Sequence, residues 1–166
     1  MPVDMKVLGF AMYKPYAVVL REVNGGRHCA VLLRRDYFTM LRLMFESPGE
    51  PLISHEVACE AHRMFGITIA SIAGVLDRHM EVIDFRIKFR FNEREWESPV
   101  LAFDAVGYSI AGNVPISMPE EDVAFLARMT PSLERLGLEP VDAAAESLDE
   151  ATLLARELPK GKLREH

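Results

Sequence analysis

"MEVIDFRIKFRFN" (residues 80–92) is the stretch on which the fold reading turns. From residue 84 onward polar and apolar residues alternate strictly. Phe85, Ile87, Phe89 and Phe91 share one side, and Asp84, Arg86, Lys88, Arg90 and Asn92 share the other. A period of two is the signature of a half-buried β-strand. The next residues, 92–95 (NERE), predict a turn, and 96–103 (WESPVLAF) an antiparallel return strand. Pro99 cannot donate to a ladder, so that return strand belongs at an edge or a bulge.

Working outward, residues 67–76 (ITIASIAGVL) read as a buried or central strand. At the start of the chain, residues 5–11, 16–23 and 28–34 predict three strands. Asn24-Gly25 between the last two is a type I′ hairpin signal. Helical spacing marks 36–46, with Asp36 as N-cap, and 55–65, with Ser54 as N-cap and Gly66 as stop. The second of these helices carries an apolar stripe of Val57, Ala58, Ala61, Met64 and Phe65. A short helix over 104–111 ending at Gly112, a strand at 113–117 and a helix over 119–128 with Pro119 at N1 complete the pattern. The expected class is α+β: an antiparallel or mixed sheet of about seven strands with paired helices, whose element order hints at two similar halves. Residues 1–130 are the expected domain, and 131–166 a tail with one helix near 147–157.

The 166 residues suit one domain, and 49% apolar with 27% charged residues is ordinary globular composition. The net charge of −6 means that a nucleic-acid partner needs a local basic stripe. Two cysteines, Cys29 and Cys59, form no CxxC pair. Asp4 and Lys6 break the apolar opening, which predicts no signal peptide. No apolar run approaches the roughly 20 residues that span a bilayer, so no membrane is expected. The expected location is a reducing cytoplasm. There is no GxSxG, no GxxxxGK[ST] and no GxGxxG after a strand.

Three sets of residues are candidates for chemistry, each with a structural alternative. His55, Cys59 and His62 fall within roughly 60° of one another on the second helix, at about 100° per residue. They are soft-metal ligand types, but no fourth ligand is evident, and the same face suits packing at the edge of the apolar stripe. His55-Glu56 is not followed by His at 59, so this is not HExxH. Arg86, Lys88 and Arg90 repeat at about 6.6–6.8 Å along their strand, a spacing that suits successive phosphates. The alternative is a solvated face paired with Glu93, Glu95 or Glu97 across the hairpin. The third candidate is Asp104, the one charge in "SPVLAFDAVGYSIAGNVPI" (98–116). It suits a helix N-cap, or a magnesium ligand with help from Asp84.

The order of several motifs resembles the bifunctional nuclease domain family of small bacterial and plant proteins. "VLGFAMYKPYAVVLREVNGGRHCAVLL" is similar to that family's first hairpin, "PLISHEV" to its R-P-L-T-H-D-L, and "SPVLAFDAVGYSIAGNVPISMPEEDV" to its D-x-R-P-S-D-A-I-A-L-A-L-R block. The likeness spans roughly residues 5–125. It implies strands and paired helices in a mixed sheet, a homo-oligomer, and magnesium-dependent cleavage of RNA or DNA. Carried over by position, it implies that His55 and Asp104 are catalytic, that Asp104 is a metal ligand, and that Arg86, Lys88 and Arg90 position nucleic acid. Pro99, Leu101, Ala102 and Phe103 stand where the family has Asp, Arg, Pro and Ser. The alternative implied is a catalytically silent oligomeric binding or regulatory module of the same fold.

Overall fold

A computed structural model describes residues 1–47 and 54–138. Seven strands, β1 (Pro2–Ala11), β2 (Ala17–Glu22), β3 (His28–Leu32), β4 (Ile67–Asp77), β5 (Val82–Phe91), β6 (Arg94–Val100) and β7 (Ile116–Pro119), form one sheet. Four helices accompany them: α1 (Arg35–Glu46), α2 (Ser54–Met64), α3 (Ala102–Gly112) and α4 (Glu120–Met129). The strand order is β3-β2-β1-β7-β4-β5-β6. The class is α+β with an open, mixed sheet, as the alternation and helix spacing predict.

Two antiparallel meanders, β1–β2–β3 and β4–β5–β6, flank β7. β7 runs antiparallel to β1 and parallel to β4. The four residues of β7 therefore join two three-stranded halves of opposite direction into one sheet. β4 lies inside the order, and β6, with Pro99, is an edge, both as the sequence predicts. The other edge, β3, is covered: the amide of Ala30 donates to Thr130 Oγ1 at 3.1 Å, and His28 Nε2 bonds the carbonyl of Pro131 at 2.8 Å. Such cover removes an open pairing edge.

Leu41 and Met44 of α1, Ala105 and Val106 of α3 and Val123 of α4 pack with Met5, Leu20, Ile72, Phe85, Ile87 and Ile116 of the sheet. Val18 and Leu20 point into this core, and Val19 between them points to the other face. There Ala11 and Val19 are covered by Leu136, with Leu133 and Leu138 beside it. Packing thus continues past residue 130 to Leu138. The helix expected near 147–157 lies outside the described residues.

Local details differ from the sequence expectations for physical reasons. Neither Asn24 nor Gly25 takes a positive φ, so no type I′ turn forms. The amide of Val23 instead bonds the carbonyl of Asp4 at 2.8 Å, and that of Glu22 bonds Arg27, which opens a longer loop. The tight connection is at Asn92, with φ 54°, between the paired Phe91 and Arg94. Asp36 is not the cap of α1. Arg34 holds the cap position without a side-chain bond, and Asp36 pairs with the Arg34 guanidinium at 3.1 Å from inside the first turn. Pro119 precedes α4 as its cap and is not its first residue. α3 runs through Gly112 and stops at Asn113, which is left-handed at φ 50°.

α4 is held at its start by Asp122, which is 4% exposed. Its Oδ2 accepts the amide of Leu76 at 3.0 Å at the end of β4, and Arg78 lies 3.5 Å from its Oδ1. Arg27 bridges Glu22 of β2 and Glu120 of α4, so both halves of the sheet, through β2 and β4, are tied to the same helix turn.

Leu136→Ala should lower stability by about 2–3 kcal/mol, the lower part of the range for buried leucines. Urea unfolding with an unchanged slope would measure it. A value near zero would show that residues 133–138 are not part of the folded unit.

Candidate functional site

His55 lies in the first turn of α2 and Asp104 in the first turn of α3, and the two helices pack so that the residues meet. His55 Nε2 lies 3.1 Å from Asp104 Oδ1. A carboxylate only accepts, so Nε2 carries the proton of this bond. The His55 side chain is 5% exposed and that of Asp104 is 38% exposed. Nδ1 is buried and has no hydrogen-bond partner among the described residues. The imidazole is enclosed by the rings of Phe103 at 4.7 Å and Tyr108 at 5.2 Å. Its remaining wall is Gly107. A Cβ built there would lie 2.5 Å from Nδ1, so only glycine lets α3 approach this closely.

Asp104 is therefore not the cap of its helix. Leu101 holds the cap position of α3 without a side-chain bond. Asp104 sits in the first turn, where the helix dipole favours a carboxylate, and turns its oxygen to α2. Nδ1 of His55 is buried against Gly107, and Nε2 is used by Asp104 in a side chain that is 5% exposed. A group in this position orients its neighbours, and the exposed part of the pair is the carboxylate.

The rest of α2 is turned differently from the expected stripe. Val57, Met64 and Phe65, expected to face the core, are 49%, 81% and 72% exposed, while His55 and Cys59 are buried. The face carrying the candidate ligands is the packed one. The His62 ring stacks on Tyr108 at 6.1 Å and meets Phe89 edge-on at 5.4 Å, and a Cβ on Gly112 would lie 3.8 Å from Cys59 Sγ. An unbroken row of rings runs Tyr37, Phe103, His55, Tyr108, His62, Phe89, Trp96, with neighbours between 4.5 and 6.1 Å apart. Histidines that pack as aromatic rings in this row satisfied the helical pattern in place of leucines. Burial raises the Cys59 thiol above its ordinary range, the effect of Arg63 being smaller, and pushes Cys29 up to about 12. A neutral thiol is a poor metal ligand.

Magnesium takes oxygen ligands and is held by carboxylates together with water or phosphate. Asp104 offers one carboxylate, already engaged by His55. Asp84, the expected helper, shares the outer face of β5 with Arg86, whereas Phe85 points into the core beside α3. The two acids thus lie on opposite faces of the sheet. Among the described residues no group of three or more His, Cys, Asp or Glu side chains converges on one point. The residues do not fit a magnesium centre.

Arg86, Lys88 and Arg90 do line up on the outer face of β5, where β6 answers them. Arg86 pairs with Glu97 at 3.1 Å, and Arg90 with Glu95 through Nε at 2.8 Å; Lys88 stands 4.0 Å from the same Glu95. The Arg90 guanidinium, with Lys88 adding to it, holds the Glu95 carboxyl below its usual range. The basic face is a cross-strand ion-pair ladder.

The chain matches no protein-family model, and no curated protein sequence matches it. The likeness to the nuclease family rests on the order of motifs alone.

The roles of Gly107 and Asp122 are not readable from the sequence, since each acts through a residue about 50 positions away. Asp104→Ala should cost about 1–3 kcal/mol, because it leaves the buried Nε2–H of His55 without an acceptor. Asp104→Asn keeps an acceptor and should stay within about 0.5 kcal/mol of the parent. Equal losses in the two variants, read from denaturant midpoints, would refute the pairing. Gly107→Ala should be destabilised by about 1–3 kcal/mol through overpacking.

Proposed function

We propose that this chain is a non-hydrolytic binding or regulatory module on a nuclease-like α+β scaffold, and that it assembles as a homo-oligomer. The observation that carries this reading is the closure of His55 and Asp104 on each other, with no second acid beside them among the described residues. Hydrolysis of a phosphodiester needs a group that activates water and a centre that stabilises charge on the phosphate. Here the imidazole is sealed between helices, and the one carboxylate of the seam is its partner. The basic strand supports the same reading, since its three cations all face Glu95 or Glu97, and two acids against three cations leave little net charge to attract an extended strand of RNA or DNA.

A magnesium-dependent assay on single-stranded RNA and DNA tests the non-hydrolytic part. The expected result is no cleavage above the protein-free control. Cleavage by the parent chain that disappears in Asp104→Asn at unchanged stability would establish the nuclease reading in its place.

The assembly is supported by the outward face of α2, which presents Val57 and Met64, and by Phe65 just past its end, with Phe91 of β5 near Gly66. Apolar side chains of this size, grouped on one helix face, favour burial against another surface. No described helix is long and apolar enough to cross a membrane. A second copy of the chain is the simplest partner. Cys29 and Cys59 are free and buried, which suits a reducing cytoplasm. Light scattering at micromolar concentration should give a multiple of the 18.7 kDa chain mass. The double substitution Met64→Glu, Phe65→Glu should return it to the monomer, and a monomeric parent would refute the assembly.

A further inference from the structure

A cavity of about 370 Å³ opens between α4 and the strands beneath it. Its interior is apolar, formed by Val31, Ile83, Phe85, Leu126 and Met129. Its two hydroxyls, on Tyr13 and Thr130, are already used: Thr130 accepts from Ala30 and donates to the carbonyl of Leu126 at 2.8 Å, and Tyr13 donates to the carbonyl of Met129 at 3.4 Å. Nothing in the interior asks for a polar ligand atom. The volume falls at the small end of ligand pockets, which run from about 300 to 1,000 Å³.

Charge is found only at the mouth, on Lys14, Arg78 and Glu81. Arg78 is engaged, by Asp122 at 3.5 Å and by the face of Phe125 at 5.8 Å. Lys14 and Glu81 are exposed and form no ion pair or hydrogen bond among the described residues. The ammonium of Lys14 rests 5.2 Å from the ring of Tyr13. Lys14 comes from the β1–β2 connection and Glu81 from the β4–β5 connection, so opposite charges stand on separate walls of one opening.

The backbone singles out the same two residues. Among the described residues, four other than glycine have positive φ: Lys14, Glu81, Asn92 and Asn113. Asparagine adopts this region readily, but long side chains do so rarely, and such positions gather at ligand-binding sites. Both long side chains border this cavity, each at φ 54°.

We infer that the cavity binds a free amino acid with a large apolar side chain. The side chain enters the space lined by Val31, Ile83, Phe85 and Leu126. The α-ammonium pairs with Glu81, and the α-carboxylate with Lys14. A ligand of this kind uses the apolar interior and both unpaired charges, where an uncharged molecule would leave them idle and a simple anion would face Glu81. The site touches α3 at Ala102, uses neither His55 nor Asp104, and holds whether or not the chain cleaves nucleic acid.

Isothermal titration of the full chain with L-phenylalanine and L-leucine tests this. Each analogue lacking one charge, 3-phenylpropionate or phenethylamine, should bind at least about tenfold more weakly than L-phenylalanine, for one lost ion pair. Glu81→Gln should remove the preference over 3-phenylpropionate, and Lys14→Gln the preference over phenethylamine, both at unchanged melting temperature. No binding of either amino acid at low-millimolar concentration would overturn the proposal. So would equal binding of the analogues, or affinities that neither variant alters.

Discussion

The contact between the His55 imidazole and the first two turns of α3 fixes how the helical layer sits on the sheet. A planar ring fills the space opposite Gly107 and donates one hydrogen bond to Asp104. Its position sets both the separation and the rotation of α2 against α3. Once α3 is so placed, Ala105 and Val106 reach the sheet core, Tyr108 reaches His62, and Phe103 reaches Tyr37 of α1. The rotation of α2 follows too: with His55, Cys59 and His62 turned inward, Val57, Met64 and Phe65 are left outside.

The sheet has a comparable single joint in β7. Two meanders that each pair only with themselves become one layer because four residues pair with β1 on one side and β4 on the other. α4 follows immediately, and its acids secure the joint: Glu120 to Arg27 beside β3, and Asp122 to the last turn of β4. The cavity under α4 is a consequence of this arrangement. The helix is anchored at its start by Asp122 and at its end by Thr130 on β3, and it spans the space between them.

Strands were the legible part of this fold, since alternation in residues 84–91 and the apolar run of β4 depend on local chemistry alone. Edge placement of β6 followed from Pro99 for the same reason. What escaped was set by partners distant in sequence. Counting apolar residues on α2 placed Val57, Met64 and Phe65 in the core, because histidine scores as polar although here its ring packs as an aromatic one. Asp104 read as a cap because acids near helix starts usually are; its true partner lies 49 residues earlier. Asp36 is a local exception: α1 starts at Arg35, one residue before it, so Asp36 lies inside the first turn and pairs with Arg34. Of the candidate site, the pairing of His55 with Asp104 was suggested only by the family resemblance, as two members of one site. The cross-strand pairing of Arg86, Lys88 and Arg90 with glutamates was foreseeable from the hairpin itself.

His55 paired with Asp104, and a basic strand whose cations face glutamates, describe a scaffold whose charged groups are engaged with one another at these two places. Its unsatisfied surfaces lie elsewhere, on the outer face of α2 and at the mouth beneath α4. The most direct measurement of this account is the tautomer and exchange of the His55 ring by nitrogen-15 NMR at neutral pH. The account predicts a ring protonated at Nε2, with a slowly exchanging Nε2–H whose chemical shift moves in Asp104→Asn. A ring protonated at Nδ1, or an Nε2–H that exchanges freely with water, would contradict the closed seam and return His55 to the list of groups able to exchange a proton with a substrate.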